Sequence, residues 1–173
     1  MWKDWGLAGT LYSQAERFLD LAKQTAVGSS EQEGYIRASL VFCVMSFEAF
    51  FFREIIMGYI QNHRADLDAA NVKKVEEGLY GTAKGGFTGV TDAVKKWPGL
   101  LTGAALNTPA CDDLAKLLEY RNALSHGDIT RQLPKWGKLA QEVETTANAE
   151  LALEAVAKMK KAAALHFGFP QLT

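Results

Sequence analysis

The stretch from Leu40 to Phe52 constrains the fold more than any other part of the chain. Its side chains are apolar apart from Ser46 and Glu48, and the stretch ends at Arg53. It occupies the centre of a helix that we predict from about Glu31 to Asn62, and its apolar residues cover nearly every side of that helix. Such a helix is buried in the middle of a helical bundle or lies at an interface between subunits.

Apolar periodicity and helix-end residues predict the other helices, and no alternating strand pattern of useful length is present. Ser30 is predicted to cap the long helix, and Pro98 is predicted to stop a short one. The other predicted helices are about Ala8–Ala26, Asp66–Leu79, Thr91–Trp97, a helix that opens with Thr108 and Pro109 and ends before Gly127, and about Thr146–His166.

The last of these helices follows a linker that contains Pro134 and Trp136. Its predicted buried side chains are Leu151, Leu153, Ala155, Val156, Met159, Ala163 and Leu165. The whole pattern indicates an all-α protein, an up-and-down antiparallel bundle of four to five long helices with a short helical insert at about residues 66–108. The 173 residues fit a single domain.

Composition narrows the classes of function. Nineteen basic and twenty acidic residues give a net charge of −1, so a nucleic-acid contact requires a local basic patch. Cys43 and Cys111 indicate reduced thiols rather than a disulfide framework, and they offer no metal site. With no export signal and no apolar run long enough for a membrane span, we expect a cytoplasmic protein without metal or cofactor.

The segment Glu119–Asp128 places an arginine where the helical pattern calls for an apolar residue. Leu114, Leu117, Leu118, Arg121 and Leu124 follow the spacing of one buried face. A guanidinium group on such a face is costly unless it is paired or serves a ligand. Asn122 and His126 are four residues apart beside it and therefore share one side of the helix.

This arrangement resembles the HEPN superfamily, whose members carry an arginine followed four to six residues later by a histidine near the end of a helix. Arg121 and His126 match that motif, and Asn122 fills the polar position that often follows the arginine. Glu48, within Ser46–Phe50, corresponds to the acidic residue that faces the motif from the second helix of such domains. The long helices that carry the resemblance cover most of the chain, but the insert lies outside a minimal version of the fold.

The resemblance implies a metal-independent ribonuclease that acts as a toxin, in phage defence or in RNA processing. Such proteins usually form homodimers, in which two copies of the motif form one cleft. The resemblance also implies a protein partner, an antitoxin of the nucleotidyltransferase type. Other members of the superfamily are inactive, so a non-catalytic helical module for dimerisation or partner binding is the alternative function.

The chemistry of these side chains suits RNA cleavage. Histidine transfers protons near neutral pH, and arginine offers forked donors that match phosphate oxygens. Arg121 and His126 are, however, five residues apart, which is about 140° around an ideal helix. Either the last turn is distorted, or two subunits contribute the arginine and the histidine to one shared site.

Each candidate residue also has a structural interpretation. His126 alone would stabilise the carboxyl end of its helix, and Glu48 with Arg121 would form a buried ion pair. Ser125 beside His126 lacks the third member of a catalytic triad. Three basic residues and a tryptophan that follow the motif are either a solvated linker or a rim that contacts RNA: Arg131, Lys135, Trp136 and Lys138.

Overall fold

The computed structural model describes residues 6–82, 84 and 86–172, and it confirms the all-α prediction. The helices are α1 (Gly6–Gln24), α2 (Ser30–Ala49), a π-helical segment (Phe50–Met57), α3 (Gly58–His63), α4 (Ala69–Tyr80), α5 (Val90–Thr102), α6 (Ala110–Ser125), α7 (Ala140–Val143), α8 (Thr146–His166) and a final 3₁₀ turn (Pro170–Leu172). Two short strands, β1 (Gln132–Leu133) and β2 (Lys138–Leu139), precede α7.

The described residues form two compact units. The first unit contains the chain up to Phe47 and the segment Pro109–Met159, and it holds the Arg121–His126 motif. The second unit contains Glu48–Thr108 and the residues from Lys160 onward. The predicted insert lies within the first of these two segments.

Most predicted helix boundaries agree with the structure to within about three residues. The predicted last helix coincides with α8, and the first begins and ends two residues earlier than predicted. The cap of α2 is one residue away from the predicted Ser30, because Ser29 Oγ accepts the Gln32 N–H at 3.1 Å. Ser29 therefore satisfies one of the exposed amides at the start of this helix.

The helix predicted from Glu31 to Asn62 changes its winding in the middle. Residues Phe50–Met57 are π-helical, and the residues at both ends of this segment keep right-handed helical dihedrals. In a π-helix each backbone hydrogen bond joins residues five apart. The Phe50, Phe51, Ile55 and Ile56 side chains of this segment are all fully buried. Counting on the α-helical period alone cannot reveal this change.

The prediction that Pro98 stops the short helix after Trp97 is wrong. Helix α5 continues to Thr102 with Pro98 inside it. Proline there removes one backbone hydrogen bond. Trp97 and Leu101 are both buried, however, so residues on either side of Pro98 pack into the interior. Packing within the second unit therefore outweighs the local cost of the proline.

The segment that the sequence indicated as a linker forms a small β-hairpin. Strand β1 pairs antiparallel with β2, with Gln132 opposite Leu139 and Leu133 opposite Lys138. Leu133 is fully buried, so one apolar side chain anchors the hairpin in the first unit. Strands of two residues lie below the length at which alternation can be recognised in a sequence.

The buried face of α8 differs from the prediction at both ends. Leu151 and Leu165 are exposed, whereas alanines fill most buried positions. The buried apolar side chains are Ala149, Ala152, Ala155, Val156, Met159, Ala163 and Ala164. Small residues allow neighbouring helices to approach closely, so the larger leucines were a misleading guide to the buried side.

Helix α8 also buries a lysine. Lys160 is fully buried, and its Nζ lies 5.6 Å from the centre of the Phe50 ring. At this distance the ammonium group interacts favourably with the aromatic face. Burial raises the pKa of the nearby Glu54 carboxyl, and the positive charge of Lys160 partly opposes that shift.

Close packing at Gly78 gives the first testable prediction. A methyl group on this residue would overlap Thr88 Oγ1 and lie 3.0 Å from Trp97 Cζ2. We expect Gly78→Ala to lower the free energy of unfolding by about 1–3 kcal/mol, because the buried neighbours must move. Denaturant unfolding measures the change.

The matched control for this prediction is Gly34→Ala on α2, where the added methyl group meets nothing within 4 Å. It should stabilise the protein by about 0.5–1 kcal/mol through helix propensity. Equal effects of the two substitutions would contradict the packing argument.

His166 gives a pH-dependent prediction within the second unit. Its Nε2 lies 2.9 Å from Thr102 Oγ1, and burial lowers the pKa of the imidazole below its ordinary value of 6.5, opposed by a hydrogen bond with the Ala104 backbone. The unfolded chain therefore binds a proton at higher pH than the folded chain. The free energy of unfolding should fall as pH decreases through 6.5, and more gently in His166→Gln.

Urea unfolding at pH 7.5, 6.5 and 5.5 measures this dependence. His63→Gln is the control, because His63 is exposed at the end of α3. The interpretation fails if His166→Gln leaves the pH dependence of unfolding as steep as in the original protein.

Candidate functional site

Helix α6 ends at the motif in a regular way. Gly127 has a φ of 68°, its N–H donates to Leu124 O at 2.9 Å, and the Asp128 N–H donates to Ala123 O at 3.1 Å. These two bonds form a Schellman motif, in which glycine adopts the left-handed conformation after the helix. The prediction that Gly127 ends this helix is confirmed, and the helix is α-helical up to Ser125.

The apolar face of α6 contains the predicted residues. Leu114, Leu117 and Leu118 are buried, whereas Leu124 and Arg121 are half-buried. Arg121 is thus held on the edge of the core with part of its side chain accessible to solvent. The sequence placed it correctly on this face.

Asn122 and His126 are both exposed and lie one helical turn apart. Two residues at this spacing lie about 140° apart on an ideal helix, and His126 is already the residue that follows the last helical one. The distorted last turn that would bring them together is not seen in α6. A site shared between two copies of the chain stays a prediction.

The serine next to the histidine has a structural role. Ser125 Oγ lies 3.0 Å from Arg121 O and donates its hydrogen to that carbonyl. The hydroxyl is thus engaged with the backbone of the preceding turn. A nucleophilic role for Ser125 has no geometric support.

The hairpin carries the predicted basic rim and is attached to α6 by two hydrogen bonds. The Lys135 N–H donates to Glu119 Oε2 at 3.0 Å, and Trp136 Nε1 donates to Lys116 O at 2.8 Å. The Trp136 side chain is half-buried, so its first role is to hold the hairpin against the helix. Three basic residues of this segment are exposed: Arg131, Lys135 and Lys138.

Glu48 is half-buried near the end of α2, in the second unit. Its pairing with Arg121 stays a prediction. Among the described residues, no cluster of histidine, cysteine and carboxylate side chains has the composition to hold a metal ion.

A buried polar network beside the motif escaped the sequence analysis. The Glu144 carboxylate, which is 3% exposed, accepts two hydrogen bonds from Arg37, from Nε at 3.0 Å and from Nη2 at 2.7 Å. Tyr120 OH donates to the same carboxylate at 2.9 Å. Tyr120 immediately precedes Arg121 and is fully buried. The network therefore ties α6 to α2 and to the residue that follows α7.

The electrostatics of the network follow from its geometry. The hydrogen bond to Glu144 raises the pKa of Arg37 above its ordinary value. Burial, followed by the negative charge of Glu144, raises the pKa of the Tyr120 hydroxyl. Arg37 and Tyr120 therefore both keep the protons that they donate to Glu144 throughout the physiological range. The sequence held no signal for the network, because Arg37 and Glu144 are 107 residues apart.

No helix among the described residues has both the length and the apolar character needed to span a membrane. Comparison of the chain with protein-family models, with curated proteins and with solved structures finds no match. The resemblance to the HEPN superfamily therefore stays a prediction that depends on the motif residues.

Proposed function

We propose that the chain is a HEPN-like, metal-independent endoribonuclease whose active site is shared by two copies. The observation that carries the proposal is the exposed pair Asn122 and His126 at the end of α6, with Arg121 half-buried beside it. The basic residues of the attached hairpin support it, because they supply local positive charge on a chain whose net charge is −1.

The reaction uses the nucleophile that RNA already carries. The 2′-oxygen attacks the adjacent phosphorus and loses its proton to a base, the bond to the 5′-oxygen breaks, and an acid protonates the departing oxygen. His126 of one copy takes this proton as the base and returns it to the departing 5′-oxygen as the acid, while Arg121 of the other copy holds the phosphate. The products are a 2′,3′-cyclic phosphate and a 5′-hydroxyl.

The remaining site residues hold and stabilise the phosphate. The Arg121 guanidinium offers two parallel donors to the non-bridging oxygens, where negative charge grows in the transition state. Asn122 lies one turn before His126 and orients the imidazole or donates to the phosphate. Glu48 is proposed to orient Arg121.

The direct test is cleavage of single-stranded RNA in the presence of EDTA. We expect products with cyclic phosphate ends, and no cleavage where a 2′-deoxynucleotide replaces the nucleotide that supplies the attacking hydroxyl. Cleavage that requires Mg²⁺, or that survives the 2′-deoxy replacement, would rule out this mechanism.

A mixing experiment tests the shared site. Arg121→Ala and His126→Ala are each expected to be inactive, but a mixed dimer brings the intact arginine of one copy to the intact histidine of the other. Recovered cleavage in the equimolar mixture supports the composite site. If the mixture stays inactive although mixed dimers are present, the proposed pairing of Arg121 from one copy with His126 from the other is wrong.

A toxin role extends the same proposal. Expression is then expected to slow bacterial growth, and His126→Ala should relieve the effect. A nucleotidyltransferase-type antitoxin is the proposed protein partner in that case. If Arg121→Ala instead lowers only stability or dimer affinity, and neither the original protein nor any variant cleaves RNA, the chain is a non-catalytic helical module.

A further inference from the structure

A cavity of about 140 Å³ lies between α6, α8 and the hairpin in the first unit. Leu117, Ala152 and Ala155 supply its buried lining, and Trp136 also lines it. The cavity exists because α8 has alanines at positions where larger side chains would fill the space. It is well below the roughly 300–1,000 Å³ of pockets for drug-sized ligands, so a single planar ring system fits it better.

Trp136 is already oriented for such a ring. Its Nε1 donates to Lys116 O, so the polar edge of the indole is satisfied and fixed against α6. What the side chain offers to a ligand is therefore its aromatic surface. Nucleobases stack on aromatic side chains with little dependence on their identity.

Charged side chains around the cavity match the rest of a nucleotide. Lys116 lies 3.6 Å from Asp113, and Lys158 lies 2.7 Å from Glu154. All four side chains are at least 41% exposed, and ion pairs of this kind contribute little to stability. The lysines can exchange a carboxylate for a phosphate at small cost, and the carboxylates can accept hydrogen bonds from the amino groups of a base.

The position of the cavity relative to the motif also favours RNA. Lys116 and His126 are ten residues apart on one regular helix, which corresponds to about 15 Å along its axis. A single strand covers this distance with a few nucleotides. The exposed Lys135 and Lys138 belong to the same hairpin as Trp136 and add positive charge to this side of the unit.

We propose that this cavity is a subsite for one unpaired nucleobase of an RNA strand, which stacks on Trp136 while Lys116 and Lys158 contact the flanking phosphates. The choice of RNA as the ligand rests on the proposed ribonuclease function. The subsite holds the strand at a fixed distance from His126, and it thereby selects single-stranded RNA over duplex.

The test measures binding apart from cleavage. A short fluorescent single-stranded RNA is titrated into the full-length His126→Ala protein, and Trp136→Ala is then added to that background. We expect the dissociation constant to rise about 5- to 150-fold, the range of one lost stacking contact. Trp136→Phe keeps an aromatic surface and should recover part of the affinity.

Two further comparisons separate stacking from folding and from charge. Ala155→Leu fills the cavity without altering Trp136 and should weaken binding similarly, whereas Ala147→Leu on an exposed part of α8 should not. An abasic strand of equal length keeps every phosphate. The original protein should bind RNA with bases more tightly than the abasic strand, and this preference should vanish in Trp136→Ala. Melting curves check that the variants are folded.

The outcomes distinguish the subsite from the nuclease. Binding that depends on Trp136 without any cleavage dependent on His126 supports the subsite and contradicts the nuclease. Unchanged binding in both Trp136→Ala and Ala155→Leu overturns the subsite, even if cleavage depends on His126. If Ala155→Leu reduces self-association in sedimentation experiments but leaves RNA affinity intact, the cavity is a protein contact and the subsite proposal is wrong.

Discussion

His126→Ala should reduce the rate of RNA cleavage by about 100- to 10,000-fold, the usual contribution of a residue that transfers protons in the transition state. The side chain is exposed and lies just after the last residue of α6, so its loss removes little packing. The melting temperature should therefore stay nearly unchanged. Rates from a labelled RNA in EDTA, together with thermal unfolding of both proteins, measure the two effects.

The matched control is His63→Ala, which changes another exposed histidine at a helix end. It should leave cleavage unchanged. Equal residual activity in the original protein, His63→Ala and His126→Ala would identify a contaminating nuclease and remove support for the proposal.

The same experiment separates catalysis from helix stabilisation. If His126 only interacts with the carboxyl end of α6, its replacement costs less than about 1 kcal/mol of stability and leaves RNA cleavage unaffected. Loss of cleavage without loss of stability requires a direct role of the imidazole in the reaction.

Glu144→Ala should lower the free energy of unfolding by about 2–4 kcal/mol, the largest stability effect that we expect from one polar side chain. The substitution removes three hydrogen bonds and leaves the buried Tyr120 hydroxyl without its acceptor. Arg37 is 37% exposed and regains some hydration, which keeps the loss below that of a fully buried charge. Denaturant unfolding measures the loss.

Glu150→Ala is the control, because it removes the same side chain from an exposed ion pair with Lys23. Such a pair contributes at most about 1 kcal/mol. Similar losses of stability in Glu144→Ala and Glu150→Ala would show that the buried network stabilises the fold no more than an exposed ion pair does.

A double-mutant cycle tests whether the network acts as a unit. Tyr120→Phe removes one hydrogen bond and should cost about 1–2 kcal/mol alone. Combined with Glu144→Ala it should add less than that, because its acceptor is already gone. Strict additivity would mean that Tyr120 and Glu144 do not depend on each other.

Residues with strong local signals were predicted well. Gly127 ends α6 because only glycine adopts the required left-handed conformation without strain. Leu117 and Leu118 face the core because helical periodicity encodes burial directly. The spacing also predicted that Arg121 lies on that face, and in the structure Arg121 is half-buried.

Predictions that depended on one local rule failed where packing opposed the rule. Pro98 lies inside α5 because Trp97 and Leu101 are buried on both sides of it. Leu151 is exposed because α8 buries alanines against its neighbours. In each case the energy of many contacts outweighed the preference of a single residue.

The sequence alone determined the helical class, most helix limits and the order of charged residues around Arg121 and His126, because these properties depend on neighbours within a few residues. Only the tertiary structure decided that Arg37, Tyr120 and Glu144 share one buried site, and that alanines on α8 leave a cavity beside Trp136. The physical reason is that both features join segments far apart in the chain. Their energies come from hydrogen bonds and close packing that exist only after the chain has folded.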